Sequence, residues 1–166
     1  FTAAADTNDV IVRLKTANDD AVPSANTMQL SNLLTLAALT GETAYQEKAE
    51  ALYNSFQVDI ARSPAGHCGL LASSLDLERL IKVVLVPAAG RDTVGLKRVL
   101  CCTSLPGSVE FVAGAREHFP QAVRTRTDLT VTTTAYVCSG PVCGPPVFEP
   151  GDLKQRLIEV RQVQQA

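Results

Sequence analysis

Apolar residues recur at helical spacing through the first half of the chain. One such face carries Met28, Leu30, Leu33, Leu34, Ala37 and Ala38. Ser24 precedes this face and Gly41 follows it, and both residue types are favoured at the ends of helices. Similar spacing continues downstream. The pattern predicts three helices, over residues 24–40, 43–60 and 69–81, with a tight antiparallel hairpin between the first two and a polar connector over residues 1–22.

The period changes at Lys82, where KVVLVP forms a short, continuously apolar run of the kind found in strands buried on both faces. A helix over residues 93–100 and a strand over 108–112 complete a βαβ unit. A further strand is predicted over 130–138 and a final helix from Pro150, while residues 113–128 are ambiguous. The predicted fold class is α + α/β. Residues 1–81 form a helical segment and residues 82–166 a small, mostly parallel α/β unit.

Composition excludes several classes of partner. With a net charge of -2 and 19% charged residues, the chain offers no basic surface for nucleic acid. Its longest apolar runs are far shorter than the roughly 20 residues that cross a bilayer. No glycine spacing matches a phosphate-binding loop, so no cofactor is expected. Five cysteines without a repeated spacing argue against a secreted disulfide framework and favour a cytoplasmic protein.

The densest polar string is RLKTANDDAVPSAN, from Arg13 to Asn26. One interpretation is helix capping, because Asp19, Asp20 and Ser24 suit the N-terminal end of a helix. The alternative is a polar pocket in which Asp19 and Asn26, together with Arg13 or Lys15, bind a sugar. Neighbouring carboxylates would then act as general acid and base.

The remaining candidate chemistry lies in the cysteines and histidines. Cys138 and Cys143 stand in a Gly/Pro-rich loop whose spacing does not match a zinc knuckle, so no metal is expected. They are either packed thiols or a redox pair, and we expect them close together and reduced or only partly bonded. Cys101 and Cys102 are predicted to be core residues. The two histidines, His67 and His118, are predicted to lie at the surface.

Two strings together carry a family resemblance. The first string, before and within helix one, consists of Arg13, Lys15, Asp19, Ala21, Pro23, Ser24 and Asn26, and is followed by LLTLAALTG and KVVLV. The second string is AYVCSGPVCGPPV, which is followed by a helix that begins at proline. This combination resembles the C-terminal region of the YyaL-type, spermatogenesis-associated thioredoxin-like protein family. Leu14, Asp20 and Ala25 depart from its pattern.

The resemblance implies an N-terminal thioredoxin-like domain, an (α/α)6 barrel and a small α/β tail, of which this chain would be the last hairpins and the tail. It also implies a carbohydrate-related role, as in epimerase or glycosidase barrels. The alternative is a non-catalytic scaffold or interaction module attached to a redox domain. No complete catalytic site is visible in the sequence, so whether the chain is an enzyme stays open.

An incomplete barrel would leave helix faces without neighbours. The faces expected to be uncovered carry Leu33, Leu34, Leu52, Phe56, Leu71 and Leu75. Exposing about 600 Å² of apolar surface would cost roughly 15 kcal/mol, which is comparable to the stability of a whole domain. The helical half should therefore associate with a second copy, pair with the rest of a parent chain, or close onto the α/β tail as one two-layer core. Of these we favour association, because the final helix already covers one face of the small sheet.

Overall fold

The computed structural model describes residues 6–12, 14–88, 92–105, 108–112, 132–140 and 142–165. The helical half comprises α1 (Ala25–Thr40), α2 (Thr43–Asn54), α3 (Gln57–Arg62), a 3-10 turn (Pro64–His67) and α4 (Cys68–Arg79). The second half comprises β1 (Ile81–Val86), α5 (Val94–Cys102), β2 (Ser108–Val112), β3 (Thr134–Ser139), β4 (Val142–Cys143) and α6 (Pro150–Gln165). The predicted fold class, helical hairpins followed by a small sheet with helices, is confirmed.

The ends of α1 follow from local chemistry. The Ser24 hydroxyl accepts a hydrogen bond from the Thr27 backbone N–H, which would otherwise lack a partner in the first turn. At the other end Gly41 takes a left-handed conformation with φ of 74°, and its N–H donates to the carbonyl of Ala37. Glycine adopts this conformation without the steric penalty of a Cβ atom. Helix one is thus confirmed, with Ser24 as its cap.

The prediction of one helix over residues 43–60 is wrong, because the structure has two shorter helices there. The first ends at Asn54, where the Ser55 hydroxyl donates to the carbonyl of Leu52 and competes with the helical hydrogen bonds. The buried Phe56 then leads into the separate helix α3. The third predicted helix is confirmed as α4, and β1 begins at Ile81.

The sheet has the order β2-β1-β3-β4. Strands β1 and β2 pair in parallel through the α5 crossover, which confirms the predicted βαβ unit. However, β3 pairs antiparallel with β1, and β4 pairs antiparallel with β3. The sheet is therefore mixed and not mostly parallel, because β3 returns along β1 and then turns back at once into β4.

Two buried clusters hold the chain together. One lies between a face of the sheet and helices α5 and α6, and contains Val83, Leu85, Leu100, Leu153 and Leu157 among others. The other lies among the helices of the first half. There Leu33, Leu34 and Phe56 are buried, so the expectation that their faces lack neighbours is wrong. The loop before α1, α2 and α4 cover them, whereas Leu75 is exposed.

Within the described part of the chain, no helix combines the length and hydropathy that a bilayer crossing requires.

Candidate functional site

Asp19 joins three segments of the helical half. One carboxylate oxygen, Oδ1, accepts hydrogen bonds from the Ser24 backbone N–H at 2.8 Å and from the Thr27 hydroxyl at 3.1 Å. The other, Oδ2, accepts from the Gly69 backbone N–H at 2.6 Å. Ser24 and Thr27 begin α1, and Gly69 lies in the first turn of α4. A single side chain thus binds the N-terminal ends of two helices, where partial positive charge favours an anion.

The backbone around Asp19 holds the carboxylate in position. The Asp19 N–H donates to the carbonyl of Gly66 at 2.7 Å, which ties the loop before α1 to the turn before α4. Gly69 leaves no room for a side chain, because a Cβ atom there would lie 2.6 Å from Cγ2 of Thr27 and 2.9 Å from Oδ2 of Asp19. We call these residues, Asp19, Ser24, Thr27 and Gly69, the Asp19 junction.

The junction keeps the carboxylate ionised. Partial burial acts to raise the pKa of Asp19, but hydrogen bonds from Ser24, Gly69 and Thr27, and the nearby His67 ring, together hold this pKa below its ordinary value of 3.8. Hydrogen bonds to the charged form favour that form. At neutral pH Asp19 therefore carries a full negative charge that is already shared among three donors.

The other residues of the polar string have separate environments. The Asn26 side-chain amide donates to the carbonyl of Thr16, so it also ties the loop to α1. The Lys15 ammonium lies 5.0 Å from the centre of the Phe56 ring, within the range of a cation–π interaction. Asp20 is exposed, and Arg13 lies outside the described residues. The structure brings Asp19 and Asn26 to the same helix end, and the sugar pocket itself stays a prediction.

Cys138 and Cys143 form a disulfide across the β3–β4 hairpin, with their α-carbons 3.9 Å apart. They are directly opposite each other in the antiparallel register. The expectation of a close pair is confirmed, whereas a reduced or partly bonded state is not what the structure contains. Both residues are buried. A redox role for this pair stays a prediction.

Two of the other thiols and the described histidine differ from expectation. Cys101 and Cys102 are exposed, because α5 turns its apolar face toward the sheet through Leu96 and Leu100. Cys68, on α4, is exposed as well. His67 is buried at 6% exposure, with Nδ1 2.8 Å from the carbonyl of Ser63. It was predicted at the surface, and the sequence lacked a sign of this local contact. His118 lies outside the described residues.

Among the described residues, no three His, Cys, Asp or Glu side chains are grouped so that they could bind a metal ion. The polar residues that do converge, at the Asp19 junction, contribute hydrogen-bond donors around one anion.

Curated relatives match nearly the whole chain. It is 27% identical to spermatogenesis-associated protein 20 of Homo sapiens over 153 residues, which are 88% of the chain and 20% of that protein. It is 26% identical over 160 residues to the protein of the same name from Rattus norvegicus, covering 90% of the chain and again 20% of the relative. The chain thus spans about one fifth of the length of these relatives. No protein-family model and no solved structure matches it.

Proposed function

We propose that this chain is the C-terminal part of a longer YyaL-type protein, in which it acts as a non-catalytic scaffold or interaction module. The match to about one fifth of much longer relatives supports a place within a longer polypeptide. The two motif strings support the C-terminal position and an attached thioredoxin-like domain. A cytoplasmic location belongs to the same proposal and rests on composition.

The state of Asp19 is the observation that carries this proposal. A general acid must hold a proton near neutral pH, and a general base works best when its pKa lies near the working pH. Asp19 is poorly suited to both roles, because its pKa is lowered and its oxygens already accept three hydrogen bonds. The carboxylate that the sugar-pocket hypothesis depends on thus has a structural role at the helix ends, which favours the scaffold over the carbohydrate role.

An apolar run before α1 is the surface that we assign to docking. Val10, Ile11, Val12 and Leu14 are all exposed, and Ile11 has no cover at all, at 106% of its reference exposure. Burial of each such side chain is worth about 1.5–3 kcal/mol. The helix faces that the sequence predicts to be uncovered are largely buried. We therefore assign the docking surface to the apolar run before α1 and not to those helix faces. Its proposed occupant is the remainder of the parent protein.

Hydrogen–deuterium exchange tests the docking. The amides of Val10, Ile11, Val12 and Leu14 should exchange freely in the 166-residue chain and become protected in the longer polypeptide. Ile11→Ser should lower the thermal midpoint of the longer polypeptide, while Val58→Ser, at another exposed apolar residue, should not. Equal exchange in both proteins would contradict this docking surface. Protection that depends on the concentration of the isolated chain would point to a second copy instead.

A ligand screen tests the carbohydrate alternative. Neutral sugars and sugar phosphates should leave the melting temperature of the longer polypeptide unchanged, because stabilisation by a ligand requires binding to the native state. A saturable increase that Asp19→Asn abolishes and Asp20→Asn preserves would support the sugar pocket and refute the scaffold proposal.

A further inference from the structure

A cleft of about 380 Å³ lies where the helical half meets the sheet. Its walls come from the C-terminal ends of α1 and α4, the start of α2, the start of β1 and the β3–β4 turn. The apolar part of the lining consists of Leu34, Ala37, Ala38, Leu77 and Leu80. This volume is within the range of small-molecule sites, which combine mostly apolar walls with a few polar groups.

Two opposite charges line this cleft, and neither has a partner among the described residues. Asp76 comes from α4 and Lys82 from β1, and both side chains are partly buried. No hydrogen bond or ion pair joins either of them to a described residue, or the two to each other. Burial raises the pKa of Asp76 and lowers the pKa of Lys82. Each group has therefore lost hydration without gaining a compensating contact.

The other polar residues of the cleft do not neutralise this pair. Glu42 is exposed, and the Gln46 amide donates to Glu50 on the same helix at 3.1 Å. Lys82 lies opposite Cys138 in the sheet register, and the turn residue Gly140 lines the cleft beside it. The disulfide hairpin thus forms the wall next to the lysine.

We propose that this cleft binds a small zwitterion with an apolar body, such as a free amino acid, whose ammonium contacts Asp76 and whose carboxylate contacts Lys82. A ligand with both charges satisfies both groups at once. A ligand with only one charge leaves the other protein group partly desolvated and unpaired, which is unfavourable. The apolar walls then contact the ligand side chain. This inference goes beyond the scaffold role and does not depend on it.

Matched ligands provide the first test. L-phenylalanine is titrated into the 166-residue chain, and the leucine methyl signals are followed by NMR. Signals of Leu34, Leu77 and Leu80 should shift saturably, while those of Leu153 and Leu157 in the sheet core stay in place. Phenethylamine, which lacks the carboxylate, and 3-phenylpropanoate, which lacks the ammonium, should each bind at least about tenfold more weakly. No saturable shift, or equal binding of the three compounds, would overturn the proposal.

Charge-removing variants provide the second test. Lys82→Met and Asp76→Asn should each weaken binding of L-phenylalanine by about tenfold or more. Lys97→Met and Asp59→Asn, at exposed positions on α5 and α3, should leave the affinity unchanged. Unchanged methyl signals from the sheet core verify folding of each variant. If both cleft variants bind as the parent chain does, the assignment of the two charges is wrong; if one misfolds, the other and the ligand series decide.

Discussion

The Asp19 junction should be the most sensitive polar contact in the helical half. Asp19→Asn keeps the size of the side chain but replaces one acceptor oxygen with a donor NH₂ group. Whichever way the amide turns, it faces either the Gly69 N–H or the Ser24 and Thr27 donors. At least one donor is then left without an acceptor.

The expected loss is about 1–3 kcal/mol in the free energy of unfolding, the range for an unsatisfied polar group that is at least partly buried. For a chain of this length a loss of about 2 kcal/mol lowers the melting temperature by roughly 4–8 °C. Thermal unfolding followed by far-ultraviolet circular dichroism measures this shift. Asp20→Asn is the matched control, since it removes the same charge from an exposed neighbour.

The effect should depend on pH with a defined sign. Because the pKa of Asp19 is lowered in the folded state, its ionised form stabilises the protein at pH values above the ordinary pKa of 3.8. This contribution is lost as the pH falls through the lowered pKa. The difference between the parent chain and Asp19→Asn should therefore be largest at pH 7 and narrow below 3.8. Stability of Asp19→Asn equal to that of Asp20→Asn at pH 7 would refute the account of the junction.

Three further predictions test the packing, the thiols and the cleft. In denaturant unfolding, Gly69→Ala should destabilise the chain by about 1–3 kcal/mol, because the added Cβ atom would overlap Thr27 and Asp19 in the Asp19 junction. Gly151→Ala is the control, since a Cβ atom at this position in α6 has open space around it. It should be neutral or stabilise the chain by up to about 1 kcal/mol. A thiol reagent should modify three cysteines in the native, unreduced protein and all five after denaturation and reduction; five rapid modifications at the start would show that the hairpin pair is reduced. Lys82→Met should stabilise the protein at pH 7 by about 1 kcal/mol or less, because the lowered lysine pKa makes protonation unfavourable for the folded state. This gain should shrink as the pH rises toward 10.5, and a loss of stability at pH 7 would mean that the ammonium has a favourable partner.

Local patterns predicted most of the elements. The three- and four-residue spacing before Gly41 identified α1, and the β-branched run after Lys82 identified β1. The crossover through α5 followed from chain order, because parallel neighbours need such a connection. These features depend on hydrogen bonds and side-chain contacts between residues close in sequence, so they can be recognised without knowing the rest of the fold.

Tertiary structure decided where the polar groups meet. The Asp19 carboxylate accepts a hydrogen bond from the backbone N–H of Gly69, fifty residues away. That contact identifies Asp19 as a residue that stabilises the fold, which its position in the polar string alone does not show. The antiparallel return of β3 brings Cys138 opposite both Lys82 and Cys143, while α4 carries Asp76 to the same cleft as the lysine. The helical or strand periodicity of the sequence does not predict such contacts, because it relates only residues that are close along the chain. The chemistry of these groups depends on burial and distance, and both are fixed only when the helices pack on one another and the strands pair.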